Sequence, residues 1–179
     1  MQRTLSPRCV SKMSIPSEVP DAHIACQAGQ FLATAELLLA HVPRVVAPSA
    51  LLCNAAVAIE LYLKSLDSRW EMYDLLDEMG VEGSAITSLP KVFDHRLDNL
   101  FASLPPNIKD YLNDSFAQVS LAASGLTLDT LLSRYAETFV RERYAFENRG
   151  NTQSHPISEI VNLARFFRDA VSKLPTVRY

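Results

Sequence analysis

Apolar residues recur every three or four positions over most of this chain, and that period predicts helices. Ile24, Ala28, Phe31, Ala35 and Leu38 form one stripe, with Asp21 placed as an N-cap and Pro43 as a stop, so a first helix is expected over residues 21 to about 41. Pro48 and Ser49 restart the chain into a second helix ending near Leu66 or Asp67. Residues 50–59 are apolar nearly all round, the mark of a central helix packed on more than one side. Residues 68–79 (SRWEMYDLLDEM) read as a short helix stopped by Gly80, and residues 81–92, with Gly83, Ser84, Ser88 and Pro90, as a loop. Asp94 is placed to cap a short helix carrying Leu97, Leu100 and Phe101. Pro105 and Pro106 end it and open another, through Ile108, Tyr111, Leu112, Phe116 and Val119. After a turn at residues 122–125, the stripe Leu128, Leu131, Leu132, Tyr135, Phe139 and Phe146 predicts one continuous helix to about Glu147. Residues 148–156 are a polar loop. A last helix, from Ile157 to about Leu174, turns Ile160, Leu163, Ala164, Phe167 and Val171 inward. The expectation is a single all-α domain over residues 21–179, a bundle of four to five main helices plus short ones. Residues 1–20, dominated by Ser, Pro and charge, read as a flexible N-terminal arm.

One position interrupts the pattern. Arg143 lies four residues after Phe139 and three before Phe146, on the same projected face. A cation on a core-facing stripe needs a carboxylate or a bound anion to offset its desolvation. Glu60 is the expected partner, because it follows Ala56 and Val57 at helical spacing along the apolar second helix. Lys64 stands one turn further on, in the favourable Glu-then-Lys order. Two readings stand: an ordinary surface pair of Glu60 and Lys64, or a buried ionic cluster of Glu60, Lys64 and Arg143 with Tyr62 or Tyr144 donating a hydroxyl.

Composition narrows the classes of function. The chain has 179 residues, 48% apolar and 21% charged, with a formal net charge of −3, so no global basic field advertises nucleic acid, although a local cluster can suffice at a cleft. Cys9, Cys26 and Cys53 form no CxxC pair and have no histidine at ligand spacing, which argues against a disulfide framework or a metal site and for a reducing cytoplasm. The apolar run at residues 50–59 is too short to span a bilayer and is closed by Glu60 and Lys64. No serine–histidine–aspartate order and no glycine-rich phosphate loop is present, and no cofactor is implied. Trp70, Met72 and Tyr73 read as core or dimer-contact residues; Arg141 reads as facing solvent or a partner, and Glu142 and Glu147 as ordinary helix acids. His95 reads as a helix-start residue packing or capping locally, and His23 and His41, at the two ends of the first helix, take no role.

Three segments together carry a resemblance. Residues 54–66 (NAAVAIELYLKSL) resemble the A-x-E-x-x-L-K helix of the HEPN superfamily. His95-Arg96-Leu97-Asp98-Asn99-Leu100 resembles its H-x-L-x-x-L segment, and residues 139–147 (FVRERYAFE) resemble the RY segment of one HEPN branch. The segments fall in the family's order within residues 21–174. The resemblance implies a helical bundle that commonly dimerises. Many members are metal-independent RNases of defence and toxin–antitoxin systems, using an arginine and a histidine separated by about four to six residues. Members with the RY segment lack that motif and bind nucleotides or partner a nucleotidyltransferase. Arg149 and His155 match the RNase spacing, with five residues between them. In that role arginine would hold the phosphate and histidine move the 2′-hydroxyl proton. Their surroundings are loop-like, however, and Pro156 follows at once. The principal expectation is therefore a non-catalytic nucleotide- or RNA-binding module, a homodimer working with a nucleotidyltransferase or antitoxin. Its ligand residues would be Glu60, Lys64, Arg143 and Tyr144. An RNase toxin using Arg149 and His155, and a purely structural interaction module, are the alternatives.

Overall fold

The computed structural model describes residues 8–15, 18–41, 48–76, 82–119, 121, 125–143 and 156–178. Asp21 opens α1 (Ala22–His41) by accepting a hydrogen bond from the Ile24 amide at 3.0 Å, the N-cap expected from the sequence. Ile24, Ala28, Leu32 and Ala35 face inward, whereas Phe31 stays 39% exposed. The next helix, α2 (Pro48–Ser65), buries Leu51, Leu52, Ala55, Ala58, Ile59 and Leu63. It packs against α1, α3 (Leu97–Ser103), α6 (Thr138–Arg143) and α7 (Ile157–Lys173), which explains its nearly all-round apolar composition. Pro106 stands at the first position of α4 (Pro106–Phe116), where its missing N–H leaves no hydrogen bond unmade. Phe116 meets Phe166 of α7 edge-on at 5.3 Å, and Tyr111 donates to the Ala170 carbonyl at 2.9 Å. The inward positions expected for α7 are all buried.

The fold is mostly helical but not all-α. Residues 68–76 and 82–90, expected in a short helix and a loop, instead form β3 (Ser68–Leu76) and β4 (Glu82–Pro90), paired antiparallel. The stretch expected as a flexible arm supplies β1 (Arg8–Ile15), which pairs antiparallel with β3 on its other side, giving the order β1-β3-β4. A second short sheet joins β2 (Glu18–Val19) to β5 (Val177–Arg178). The strand was hidden because its buried centre is a charge. Glu71, 2% exposed on the middle strand, is enclosed by Lys12 at 2.8 Å, Arg69 at 3.2 Å and the Tyr73 hydroxyl. Polar and apolar residues alternate over Arg69, Trp70, Glu71 and Met72, but the charge takes the buried side, so the pattern does not read as a strand burying an apolar face. The sheet packs mainly on itself and touches the helices only slightly.

The helix expected to run unbroken to Glu147 is two helices. Thr127 caps α5 (Leu128–Arg134) through the Thr130 amide at 3.1 Å, and residues 135–137 form a turn before α6. That turn resets the helical phase. Leu128, Leu131, Leu132 and Tyr135 are buried, but in α6 only Thr138 is, and Arg143 is exposed. The placement of Arg143 on a core-facing stripe is thereby corrected. Among the described residues, no helix is long and apolar enough to cross a membrane.

Candidate functional site

Glu60 emerges as the centre of a polar cluster built from three separate parts of the chain. Its place on the packed side of α2 leaves it 5% exposed. Lys64, one turn on and with only 10% of its side chain exposed, donates to Glu60 Oε1 at 2.6 Å. The pair is thus a largely buried one, not the surface pair of the plainer reading. Such a pair needs further hydrogen bonds to offset desolvation.

The third member is His95. The Asp94 carboxylate accepts from the His95 and Arg96 amides at 2.7 and 2.9 Å and from Asn99 Nδ2 at 2.8 Å, a tight turn that leads into α3. Leu97 then donates to the Ala136 carbonyl at 3.3 Å, and Arg96 pairs with Asp98 and Glu137, so the start of α3 is fastened to the turn between α5 and α6. This places His95 Nδ1 3.0 Å from Glu60 Oε1. A carboxylate can only accept, so Nδ1 carries the hydrogen, and Nε2 is left to face other groups. The His95 side chain is 60% exposed, making it the open side of the cluster.

Phe139 of α6 extends the site. Its ring centroid lies 5.6 Å from that of His95, and the Arg143 guanidinium lies 5.8 Å from the same ring. Lys64, Glu60, His95, Phe139 and Arg143 thus form a continuous series. Helix α6 is held to α2 by the Ser49 hydroxyl on Glu142 at 2.8 Å and by the Cys53 thiol near the Phe139 carbonyl at 3.9 Å. Burial pushes the Cys53 thiol pKa up, which keeps it protonated. Two exposed apolar residues flank the site in sequence: Phe93, 72% exposed, and Val140, 43% exposed.

Glu60 and Arg143, expected as a direct pair, stand in one series with His95 and Phe139 between them. Among the described residues the groups on Glu60 are Lys64 and His95, and the Arg143 guanidinium lies over the Phe139 ring. Tyr62 is not a member: it lies on the α1 side of α2, where a Cβ added at Gly29 would stand 3.6 Å from its hydroxyl. Tyr144, Glu147, Arg149 and His155 fall outside the described residues. His95 was the residue underestimated from sequence; its signal was the H-x-L-x-x-L segment, not any local spacing to Glu60. Among the described residues no cluster of His, Cys, Asp or Glu could hold a metal ion.

A separate concavity of about 610 Å³ lies where α1 meets the sheet, lined by His23, Trp70, Ile86, Thr87, Ser88 and Thr176 beside Asp21. Asp21 is already engaged there. It accepts from Trp70 Nε1 at 2.9 Å and from the Ser88 hydroxyl at 2.6 Å in addition to capping α1. This carboxylate fastens the sheet to the helices and is not displayed to a ligand. No family model, curated protein or solved structure matches this chain.

Proposed function

We propose that the chain is a HEPN-like binding module that holds a nucleotide, free or as a unit of RNA, at the Glu60–His95–Phe139–Arg143 site, without cleaving it. The observation that supports this reading is the convergence itself: the three segments that carry the resemblance, far apart in sequence, meet in one polar cluster. The chemistry of the cluster suits such a ligand. Glu60 and Lys64 balance each other's charge, while Arg143 brings a further exposed cation to the outer edge for a phosphate. The Phe93 ring, exposed and two residues before His95, offers a face for a base. The biological setting that fits is a cytoplasmic defence or toxin–antitoxin-type system, with a homodimer and a nucleotidyltransferase or antitoxin as partner.

Calorimetric titration with nucleoside monophosphates and a short single-stranded RNA tests the reading. Saturable binding is expected, with Arg143→Ala weakening it about tenfold for loss of a charge-assisted contact while the circular dichroism spectrum is kept. Absence of binding by the intact protein, or an Arg143→Ala variant that binds as well as wild type, would overturn it.

A further inference from the structure

Glu60 uses its two oxygens unequally. Both Lys64 and His95 sit on Oε1, whereas Oε2 is buried and meets no hydrogen-bond donor among the described residues. Leaving a buried carboxylate oxygen unsatisfied is costly, and such atoms mark places where a group from elsewhere is accommodated. Access is from the His95 side, because 60% of the His95 side chain is in solvent while Lys64 shows only 10%. The charges decide what kind of donor fits. Lys64 already neutralises Glu60, so another cation would leave the pair with excess positive charge. A neutral N–H donor satisfies both requirements, and a nucleotide carries one on its base.

We infer that Glu60 Oε2 accepts a hydrogen bond from the exocyclic amine of a nucleobase, so that the site selects adenine or cytosine over bases bearing a carbonyl at that position. This rests on the nucleotide-binding reading above and adds its base specificity. Glu60 acts here as an acceptor that a keto oxygen can only repel, the same logic by which a carboxylate reads the cytosine amine in nucleic-acid grooves. His95 swings off Oε1 to admit the base, and Lys64 remains to hold the carboxylate.

The test compares nucleotides that differ only at this group. Wild-type protein is titrated with AMP and IMP, with CMP and UMP, and with N6,N6-dimethyl-AMP, which keeps the adenine ring but has no N–H at the position. AMP should bind about tenfold or more tighter than IMP, CMP likewise tighter than UMP, and the dimethyl compound as weakly as IMP. Glu60→Gln supplies a second readout. With its carbonyl retained toward Lys64 and His95, its amide NH2 takes the place of Oε2, turning an acceptor into a donor. The preference should then disappear or invert toward IMP and UMP. Equal affinities for each wild-type pair overturn the inference while leaving nucleotide binding intact, and so does a folded Glu60→Gln variant that keeps the amine preference. Failure of every nucleotide to bind overturns the binding reading, and this inference with it. If Glu60→Gln does not fold, the three wild-type comparisons decide alone.

Discussion

Asp21 joins three pieces of the molecule through one carboxylate. It caps α1, receives the Trp70 indole from β3 and receives the Ser88 hydroxyl from β4. Burial by itself would raise its pKa. The hydrogen bonds from Ser88, Ile24 and Trp70 and from the His23 backbone outweigh that and hold the carboxyl below its ordinary value. Since the folded pKa is depressed, the stabilisation is present in full above the unfolded value near pH 4 and is lost as pH falls through the folded one. Urea midpoints measured between about pH 5 and pH 3 should therefore fall more for wild type than for Asp21→Asn. An equal fall in both would remove Asp21 from the acid transition. Near neutral pH, Asp21→Ala should cost about 2–4 kcal/mol, one part for the lost cap and the rest for buried donors left unmatched. His95 teaches a different lesson at this scale. Its residue type and position were visible in the sequence, but its meeting with Glu60 depends on a turn at Asp94 and on the anchoring of α3 to residue 136, neither of which any local spacing encodes.

The elements divide by how local their causes are. Helices α1, α2, α4 and α7 follow from stripes, caps and prolines within each segment, and their limits fall within a residue or two of those expected, except that α4 ends at Phe116, three residues before Val119. The strands depend on partners far along the chain. β3 becomes a strand because β1 and β4 flank it, and its buried position is Glu71 rather than an apolar residue. The α5–α6 break was also hidden, since Tyr135 and Phe139 keep helical spacing in sequence while the intervening turn changes their phase. Thr127 is a locally legible feature, and Thr127→Ala should cost about 1 kcal/mol of unfolding free energy, read by denaturant titration. The sheet, packed mainly on itself, should open more readily than the helical core. Hydrogen exchange should show amides of β1 and β4 exchanging well before those of residues 55–63 in α2. Equal protection would mean that the sheet belongs to the same cooperative unit.

Across the whole molecule, the central helix organises both structure and site. The apolar part of α2 is the middle of the core, and its last turns carry Glu60 and Lys64 to the place where α3 begins and α6 packs. A net charge of −3 says nothing of this, because the exposed Arg143 and the charge-balanced Lys64 act locally. Two places among the described residues could compete for a ligand, and each contains one histidine: the cluster where His95 meets Glu60, and the concavity where His23 stands at the junction of α1 with the sheet. That division permits a direct decision. Histidine side-chain nitrogen resonances, recorded by NMR during titration with AMP, should show the Nδ1 and Nε2 signals of His95 moving saturably while those of His23 and His41 stay in place. Saturation accompanied by movement of His23 alone, or by no change at His95, would contradict a ligand site at Glu60.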